Sequence, residues 1–545
     1  MKIGIILDST KVPWYIYDLV KWIKQNPNFT LEILLIQNIK IKRQPIFNKN
    51  FINILDRVFF KIINIIEKKL VQTKYSQYIK HLKKYDIKKF NIKEIDVEID
   101  KSDDNKSFFY KESTINKIKN LKLDIILRGG SGILKGEILR SSKFGIISFH
   151  HGDNRFYRGK PSGFWEVKEK NLKSGFTIQI LNEKLDDGNV LKRGNFRTQN
   201  FFYLNEILLK ERSNQYMKFI LSEIKKKNEL PKIMSTPSYN KKIYKSPKYY
   251  QSIEYLFSRV YEKLQNFIYR IFFNDVWHVG YQISTLDNIN LKNSLILKNP
   301  KNCFLADPFI IEENNENFIF VEEYSFKFNK GIISVYKISK EKLERIGVAI
   351  EEDFHLSFPF IFKYQNSYFM VPETKVKGEI RLYECEDFPL KWKFKKTILS
   401  SINATDTMIF EHNGLWWMLT TFSNCGKFND SELHVFYSKE GPITKNWRGL
   451  SQNPVIIDPE FGRNGGIYFD KNKIFRVAQS FGFNTYGKKI SIREIIKLDQ
   501  DNYSEIEIKS IEPDFLKKLV GIHHFHSNNK YIVHDFCKRK FKLLN

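Results

Sequence analysis

The chain has 545 residues, of which 42% are hydrophobic and 15% aromatic, so it can bury a sizeable core and is not globally disordered. Its 90 Lys and Arg residues exceed its 61 Asp and Glu residues by 29, a balance that favours anionic partners such as nucleic acid, anionic lipid or phosphorylated substrates. The lysines are scattered, however, and accompany no known nucleic-acid-binding motif, so we expect no nucleic acid to be bound.

The first part of the chain alternates short apolar runs with stretches of helical periodicity. Strands are predicted at 2–7, 30–37, 94–99, 123–130 and 144–150, and helices at 14–23, 111–121 and 134–141. This alternation predicts an α/β domain with a wound, mostly parallel sheet, in which ligands bind beyond the carboxyl ends of the strands.

A further amphipathic helix is predicted at 51–70, with Arg57, Lys61, Lys68 and Lys69 on its polar side. Such a helix either lies on a membrane surface or packs on its own domain, and we expect the second. No uncharged stretch of about 18 residues occurs, so no membrane-spanning helix is expected.

The cysteines and the N-terminus indicate the compartment. The four cysteines lie far apart without metal-binding spacing, which fits free thiols in a reducing compartment and predicts no metal site. The apolar run at the N-terminus stops at Asp8, too early for a signal peptide, so it is interpreted as a strand. We therefore expect a cytoplasmic protein.

The remainder of the chain divides into a connector and a repeat. Two helical stretches, 204–228 and 250–273, flank a segment rich in Pro, Tyr and Lys, so residues 206–275 are interpreted as a helical connector between domains at 1–205 and 276–545. Five similar strand–turn–strand units follow, with Pro308, Pro359, Thr407, Gly466 and His524 at equivalent places, 51, 48, 59 and 58 residues apart. A period of ~40–60 residues predicts an all-β propeller with five blades; the alternative is an irregular β-sandwich.

One candidate site lies where the strand at 144–150 ends. His150 stands at the carboxyl end of this strand, and Asp186 belongs to a later loop that could bring a carboxylate to the imidazole. The alternatives are a structural histidine and a turn residue before Gly188.

These residues resemble the formyltransferase family, which includes methionyl-tRNA formyltransferase and the sugar N-formyltransferases. His150 and Asp186 match the family's catalytic His and Asp, and Tyr157-Arg158-Gly159 matches its Tyr-Arg-Gly. The resemblance implies a Rossmann-like fold with 10-formyltetrahydrofolate as formyl donor. It also implies a folate-lining loop at Gly132, Ile133 and Leu134.

The sequence departs from this family at Ser148, which occupies the place of the family's Asn. Loss of one oxyanion donor typically costs ~10²–10³ in rate, but a hydroxyl can also donate. Ser148 therefore remains a candidate catalytic residue. Arg158 either binds an acidic group of the acceptor or folds its own loop.

A second set of polar residues recurs at equivalent points of the repeat, where a propeller's central channel would bring them together. It consists of Asp307, Glu322, Glu373, Asp406, Arg463, Gln479, His523 and Asp535. Convergent carboxylates are what glycoside chemistry needs. Asp307, Glu373 and Asp406 are thus candidate substrate-binding residues, the alternative being that the acids close the blades by hydrogen bonding.

Ala306-Asp307-Pro308 and Val371-Pro372-Glu373 give this repeat a resemblance to two groups of propellers. One is the arabinanase/xylosidase-type glycosidases, and the other is the propeller domain of the glucosamine inositolphosphorylceramide transferases. The two halves together predict a formyltransferase that acts on an amino sugar or nucleotide sugar in glycan biosynthesis. The alternatives are a propeller-based glycosidase or glycosyltransferase, or a glycan-binding protein, with a degenerate formyltransferase domain.

Overall fold

A computed structural model of the chain describes residues 1–37, 51–102, 107–183, 188–235, 239, 241–283, 289–339, 342–423, 430–483, 485–528 and 530–542. The chain divides into two compact units, Met1–Glu262 and Lys263–Asn545. The first unit combines a largely parallel sheet with helices, and the second consists mostly of antiparallel strands. An α/β part followed by an all-β part was expected. Among the described residues, no helix is long and apolar enough to cross a membrane.

The elements of the first unit follow one another in the expected alternation. Its described strands are β1 (Lys2–Leu7), β2 (Lys11–Pro13), β3 (Thr30–Gln37), β4 (Lys84–Asp86), β5 (Glu94–Val97), β6 (Ile99–Lys101), β7 (Ser107–Tyr110), β8 (Ile125–Arg128), β9 (Ile133–Lys135), β10 (Ile146–His150), β11 (Lys173–Ile180) and β12 (Asn189–Arg197). Its helices are α1 (Trp14–Gln25), α2 (Phe51–Lys74), α3 (Glu112–Asn120), α4 (Phe164–Lys168), α5 (Phe202–Lys227) and α6 (Tyr249–Phe272), which ends in the second unit.

The main sheet of this unit has seven strands in the order β12-β11-β10-β8-β1-β3-β5. Pairing is parallel from β10 through β8, β1 and β3 to β5, and antiparallel where β11 and β12 extend the edge. The central strands are almost continuously apolar, as strands with both faces covered usually are. Ile6, Ile33, Leu35 and Ile126 form part of the resulting core.

Two segments of this unit differ from the sequence-based expectation. The helix expected at 134–141 is instead strand β9 followed by a 3₁₀ turn, because residues 133–135 pair with β7 and Gly136 has a φ of +80°. The helix at the start of the expected connector, α5, packs within the first unit. Its Asn205 side chain donates to the Gly163 carbonyl and to the Ser174 hydroxyl.

The second unit is a succession of short antiparallel strands. Those described are β13 (Phe273–Ile283), β14 (Leu295–Ile296), β15 (Cys303–Glu313), β16 (Glu316–Ser325), β17 (Lys330–Ser339), β18 (Lys342–Ile350), β19 (Ser357–Tyr364), β20 (Ser367–Glu373), β21 (Glu379–Asp387), β22 (Lys391–Ser400), β23 (Thr405–His412), β24 (Leu415–Thr421), β25 (Glu432–Ser438), β26 (Arg448–Gly449), β27 (Ile456–Ile457), β28 (Arg463–Asp470), β29 (Lys473–Gly482), β30 (Thr485–Leu498), β31 (Tyr503–Ile511), β32 (Leu519–Gly521), β33 (Phe525–Ser527) and β34 (Tyr531–Phe541).

These strands form successive antiparallel sheets, each from one stretch of chain, except for a sheet that joins both ends of the unit. The sheets are β15-β16-β17-β18, β19-β20-β21-β22, β23-β24-β25-β26 with β27, β28-β29-β30-β31, and β14-β13-β34-β32 with β33. In the last sheet β13 pairs with β34 along its whole length. The ends of the unit are therefore fastened to each other by backbone hydrogen bonds.

One strand of each sheet contacts the corresponding strand of the next sheet along the chain. Strand β15 contacts β19, β19 contacts β23, β23 contacts β28, β28 contacts β33, and β33 contacts β15. In several of these strands a register shift coincides with a left-handed residue, namely Asp307 (φ +49°), Phe358 (+47°), Asp406 (+50°) or Gly466 (+128°). Such a bulge re-aims side chains locally. The side chains of Asp307 and Asp406 therefore do not follow the alternation between the two faces of a regular strand.

Candidate active site

His150 ends β10, at the edge of the sheet where the parallel strands β8 and β10 finish. The imidazole is buried, and its Nε2 lies 2.9 Å from the carbonyl oxygen of Tyr157. Because a carbonyl oxygen only accepts, Nε2 carries a hydrogen and the ring is held by its own loop. Asp186, its expected partner, lies outside the described residues, so their pairing stays a prediction.

Ser148 and Arg158 also contact nearby backbone. The Ser148 hydroxyl donates to the Phe149 carbonyl over 3.2 Å. The Arg158 Nε donates to the carbonyl of Asn154 over 2.8 Å, and its guanidinium lies 4.3 Å from the ring centroid of Tyr239. Of the two roles that the sequence left open for Arg158, these contacts favour folding of the loop.

The expected folate-lining loop is part of a small sheet. Gly132 has a φ of +85° and packs against the Phe108 ring, which a Cβ at this position would approach to 2.1 Å. Ile133 begins β9, and Leu134 is buried in the core of the unit. Leu134 thus packs the core, and contacts from Gly132 and Ile133 to a ligand stay predictions.

The second unit contains a cavity of about 210 Å³ into which side chains from several sheets project. Its walls combine acids, cations and aromatic rings. They are formed by Trp277, Phe304, Ala306, Asp307, Glu322, Tyr324, His355, Ser357, Glu373, Arg463, Tyr486 and His523. Charged and polar groups predominate over apolar ones in these walls, so the cavity suits a polar ligand.

Asp307 lies at the bulge of β15, where the strand register shifts. Its Oδ2 accepts a hydrogen bond from the Phe358 backbone N–H at 3.1 Å, and its own N–H donates to Asp535 at 3.2 Å. Its Oδ1 lies 3.2 Å from Nε2 of His523. Contacts on both oxygens fix the orientation of this carboxylate at the cavity wall.

His523 lies between two carboxylates, one at each ring nitrogen. Its Nδ1 is 2.8 Å from Asp535, opposite the Asp307 contact. Burial alone lowers the pKa of His523, but the Asp535 and Asp307 carboxylates outweigh it and raise that pKa to about 10. His523 is therefore a buried imidazolium. The ligand atoms of Asp307, His523 and Asp535 lie within 4.8 Å of one another, a spacing that could hold a metal ion.

Arg463 brings a second positive charge into the cavity. Its Nε donates to Asp406 at 2.5 Å, and Gln479 donates to the same oxygen at 3.2 Å. Its Nη2 lies 3.8 Å from Oε2 of Glu373. Burial and the Asp406 carboxylate raise the pKa of Glu373 to about 8, although Arg463 opposes this shift. Glu373 therefore holds its proton at neutral pH.

Glu322 is the third acid in the cavity wall. Burial and the nearby Asp307 charge raise the pKa of Glu322 well above its usual range. The imidazole of His355 faces it, with Nε2 at 3.7 Å from the Glu322 carboxyl, while the Gly331 N–H donates to Nδ1 at 2.9 Å. Since Nδ1 accepts, the hydrogen of a neutral His355 lies on Nε2 and points towards Glu322.

Chemically, the cavity offers an acid with a raised pKa, Glu373, together with an acid oriented by fixed contacts, Asp307. Glu373 can donate a proton, and Asp307 is a carboxylate held by fixed hydrogen bonds. Buried acids with strongly shifted pKa values in a cavity, such as Glu373 and Glu322, are typical of general acid–base sites.

The structure brings together most of the polar set expected from the repeat. Asp307, Glu322, Glu373, Arg463 and His523 line the cavity, while Asp406, Gln479 and Asp535 hold these residues from behind. Four further residues of the cavity wall were not predicted from the sequence: His355, Tyr486, Trp277 and Tyr324. They lie outside the equivalent positions of the repeat, and no motif distinguishes them from ordinary core or surface residues.

Comparison with known proteins gives a match for the second unit. Residues 288–523 match the family described as glucosamine inositolphosphorylceramide transferase 1, N-terminal. Glucosamine inositolphosphorylceramide transferase 1 of Oryza sativa subsp. japonica is 34% identical over 213 residues, which are 38% of this chain. The chain spans only 28% of the length of that relative.

Solved structures show weaker likenesses to each unit. An exo-1,5-α-L-arabinanase from a bovine ruminal metagenomic library is 16% identical, covering 37% of this chain and 77% of its own, with a TM-score of 0.29. A sugar N-formyltransferase from Shewanella sp. is 15% identical, covering 44% of this chain and 76% of its own, with a TM-score of 0.26. At these TM-scores neither likeness carries an argument about function.

The expected formyl transfer to an amino sugar is wrong. The relatives found by sequence are named as glucosamine inositolphosphorylceramide transferases, which are glycosyltransferases and not formyltransferases. They fit better with the alternative expectation, a propeller-based glycosidase or glycosyltransferase, or a glycan-binding protein, with a degenerate formyltransferase domain. The expected 10-formyltetrahydrofolate donor and the expected cytoplasmic location remain untested predictions.

Proposed function

We propose that the strands from β13 to β34, residues 273–541, form a five-bladed propeller that carries a glycosyl-transfer site in its cavity. Four-stranded antiparallel sheets around a central axis are the propeller arrangement. The pairing of β13 with β34 and the sequential contacts from β15 back to β33 support it. The five sheets correspond to the five repeat units of the sequence.

The observation that carries the chemical part of the proposal is the position of Glu373, a buried acid with a raised pKa, in the same cavity as the oriented Asp307 carboxylate. Breaking a glycosidic or sugar-phosphate bond requires a proton or positive charge on the leaving oxygen, and activating a hydroxyl requires a base. Glu373 supplies the proton, and Asp307 accepts one from the attacking hydroxyl.

The aromatic walls suit a sugar as ligand. Phe304 and Tyr324 stack on each other with centroids 4.7 Å apart, and both line the cavity together with Trp277 and Tyr486. Aromatic faces cover the apolar side of a sugar ring, while the acids and Arg463 meet its hydroxyls. The names of the relatives suggest a hexosamine as the transferred sugar and an inositol-phosphate glycolipid as its acceptor.

An assay of the full chain tests the proposal. UDP-glucosamine or UDP-N-acetylglucosamine is incubated with inositolphosphorylceramide, and the mass of the lipid product is followed by mass spectrometry. Glu373→Gln keeps the shape of the side chain but removes the acid, so we expect transfer to fall by ~10²–10⁴-fold.

Glu386→Gln is the matched control, because Glu386 is 57% exposed on another strand and does not line the cavity. The control should retain full activity. Equal turnover by wild type and Glu373→Gln, or no turnover of these donors by wild type, would reject the proposed chemistry. Release of free sugar without a lipid product would identify hydrolysis instead of transfer.

A further inference from the structure

Helix α2 exposes an apolar stripe along its N-terminal part, from Phe51 to Ile65. Phe51, Ile54, Val58, Ile62 and Ile65 recur every three or four residues, so they lie on one side of the helix. Their side chains are between 37% and 73% exposed. Soluble proteins rarely expose large contiguous apolar surfaces of this kind, and those that do usually have an interaction site there.

The stripe faces outward because the opposite side of α2 is anchored. Ile63, Glu67 and Val71 are buried on that side. The Glu67 carboxylate accepts hydrogen bonds from the Tyr255 hydroxyl at 2.5 Å and from the Tyr203 backbone N–H at 2.8 Å. These buried contacts fix the rotation of the helix, so the stripe cannot simply turn inward.

Positive charges accompany the stripe. Arg57, Lys61 and Lys68 are exposed and lie four and seven residues apart, which places them together along one flank of it. An apolar stripe bordered by Lys and Arg is typical of helices that lie in the plane of a membrane surface.

A neighbouring helix adds further exposed apolar surface. The start of α6 contacts α2, since Asp56 accepts a hydrogen bond from the Tyr249 backbone N–H at 2.7 Å. On α6, Phe257 and Val260 are 72% and 64% exposed. The two helices are therefore adjacent, and both leave large apolar side chains uncovered.

We propose that the α2 face, defined as Phe51, Ile54, Val58, Ile62 and Ile65 with Arg57, Lys61 and Lys68, docks on an anionic lipid membrane. A second copy of the chain would also cover the apolar stripe, but the same face of that copy carries cations and no acid that would complement Arg57, Lys61 and Lys68. An anionic surface complements these cations, and it also suits the net charge of +29. This inference does not depend on the proposed glycosyl transfer.

Flotation of the full chain with lipid vesicles tests the inference. Vesicles of phosphatidylcholine alone are compared with vesicles that contain roughly 30% phosphatidylglycerol. We expect the bound fraction to require the anionic lipid and to fall with added salt, because screening weakens attraction to a charged surface. Absence of binding to the anionic vesicles would overturn the inference.

Two variants locate the surface. Val58→Asp/Ile62→Asp places carboxylates in the apolar stripe, and Lys61→Glu/Lys68→Glu reverses the flanking charge; each should weaken binding by at least about 10-fold. Ile508→Asp is the matched control, since Ile508 is also about half exposed but lies on β31. All four positions altered on α2 are solvent-exposed, and unchanged melting temperatures will show that the variants fold.

Undiminished vesicle binding by both double variants would overturn the inference. Light scattering distinguishes the competing occupant. If wild type is a dimer that Val58→Asp/Ile62→Asp converts to a monomer, the α2 face joins two copies of the chain and the membrane proposal is wrong.

Discussion

His150 and His523 are both buried imidazoles that the sequence singled out, yet their surroundings differ. His150 donates to the backbone of its own loop, and the neighbouring Arg158 also binds backbone. His523 lies between the carboxylates of Asp307 and Asp535 and lines a cavity that other acids share. A motif can place a histidine at the end of a strand, but the groups packed around it decide what chemistry it can serve.

The largest expected effect is on the stability of the second unit, when Arg463 is removed. In Arg463→Met, the buried Asp406 loses its cation and Glu373 loses its nearest positive charge. Breaking a buried ion pair typically costs about 3–5 kcal/mol, so we expect a marked loss of unfolding free energy in chemical denaturation. Lys393→Met, which removes a cation that is 74% exposed on β22, should change it by less than about 1 kcal/mol. Similar losses in both variants would show that the Arg463 cluster does not stabilise the unit.

The pH dependence of turnover should sharpen the assignment of Glu373. If Glu373 acts as the acid with a pKa of about 8, the rate will fall above pH 8 by about 10-fold per pH unit. The residual rate of Glu373→Gln should lack this limb, because Gln has no proton to lose. A limb that persists in Glu373→Gln would transfer the acid role to another group, with Glu322 as the first candidate.

A smaller effect concerns the stability contributed by His523. The pKa of His523 is raised from 6.5 to about 10 in the folded chain, so its contribution is fully present below pH 6.5 and is lost as the pH rises towards 10. Melting temperatures of wild type and His523→Gln should therefore differ most below pH 6.5 and converge near pH 10. A difference that grows with pH would contradict the imidazolium between two carboxylates.

The smallest effect is expected for a substitution in the first unit. His150→Ala should change glycosyl transfer by less than about twofold, since a site in the other unit need not couple to it. The assay with the UDP-linked sugars measures this directly. A loss comparable with that of Glu373→Gln would mean that both units contribute to one reaction.

Much of the fold of both units could be predicted from the sequence. The alternation of apolar runs predicted the parallel strands β1, β3, β8 and β10, because strands covered on both faces leave a continuous apolar signature. The repeat predicted that Asp307 and Asp406 occupy equivalent places, and both are left-handed residues at the bulges of β15 and β23.

Other features were beyond the sequence for physical reasons. His355 and Tyr486 reach the cavity through contacts between distant segments, which leave no local pattern. Helix α2 is apolar on more than one side, so its periodicity could not reveal that Ile63 is buried while Ile62 is exposed. The side of this helix with Ile63, Glu67 and Val71 packs on its own unit, as expected. Formyl transfer was wrongly expected from a histidine at the end of a strand and the loop that follows it. Such a motif indicates a fold, but proteins that share a fold catalyse different reactions, because the reaction depends on all the residues of the site.

The position of a bound sugar tests the central claim most directly. A crystal of the full chain soaked with UDP-N-acetylglucosamine should show the sugar in the cavity between Asp307, Glu322 and Glu373, with an aromatic ring of the wall against one face. A sugar bound beside His150, with the cavity of the second unit unoccupied, would contradict the proposed site of glycosyl transfer.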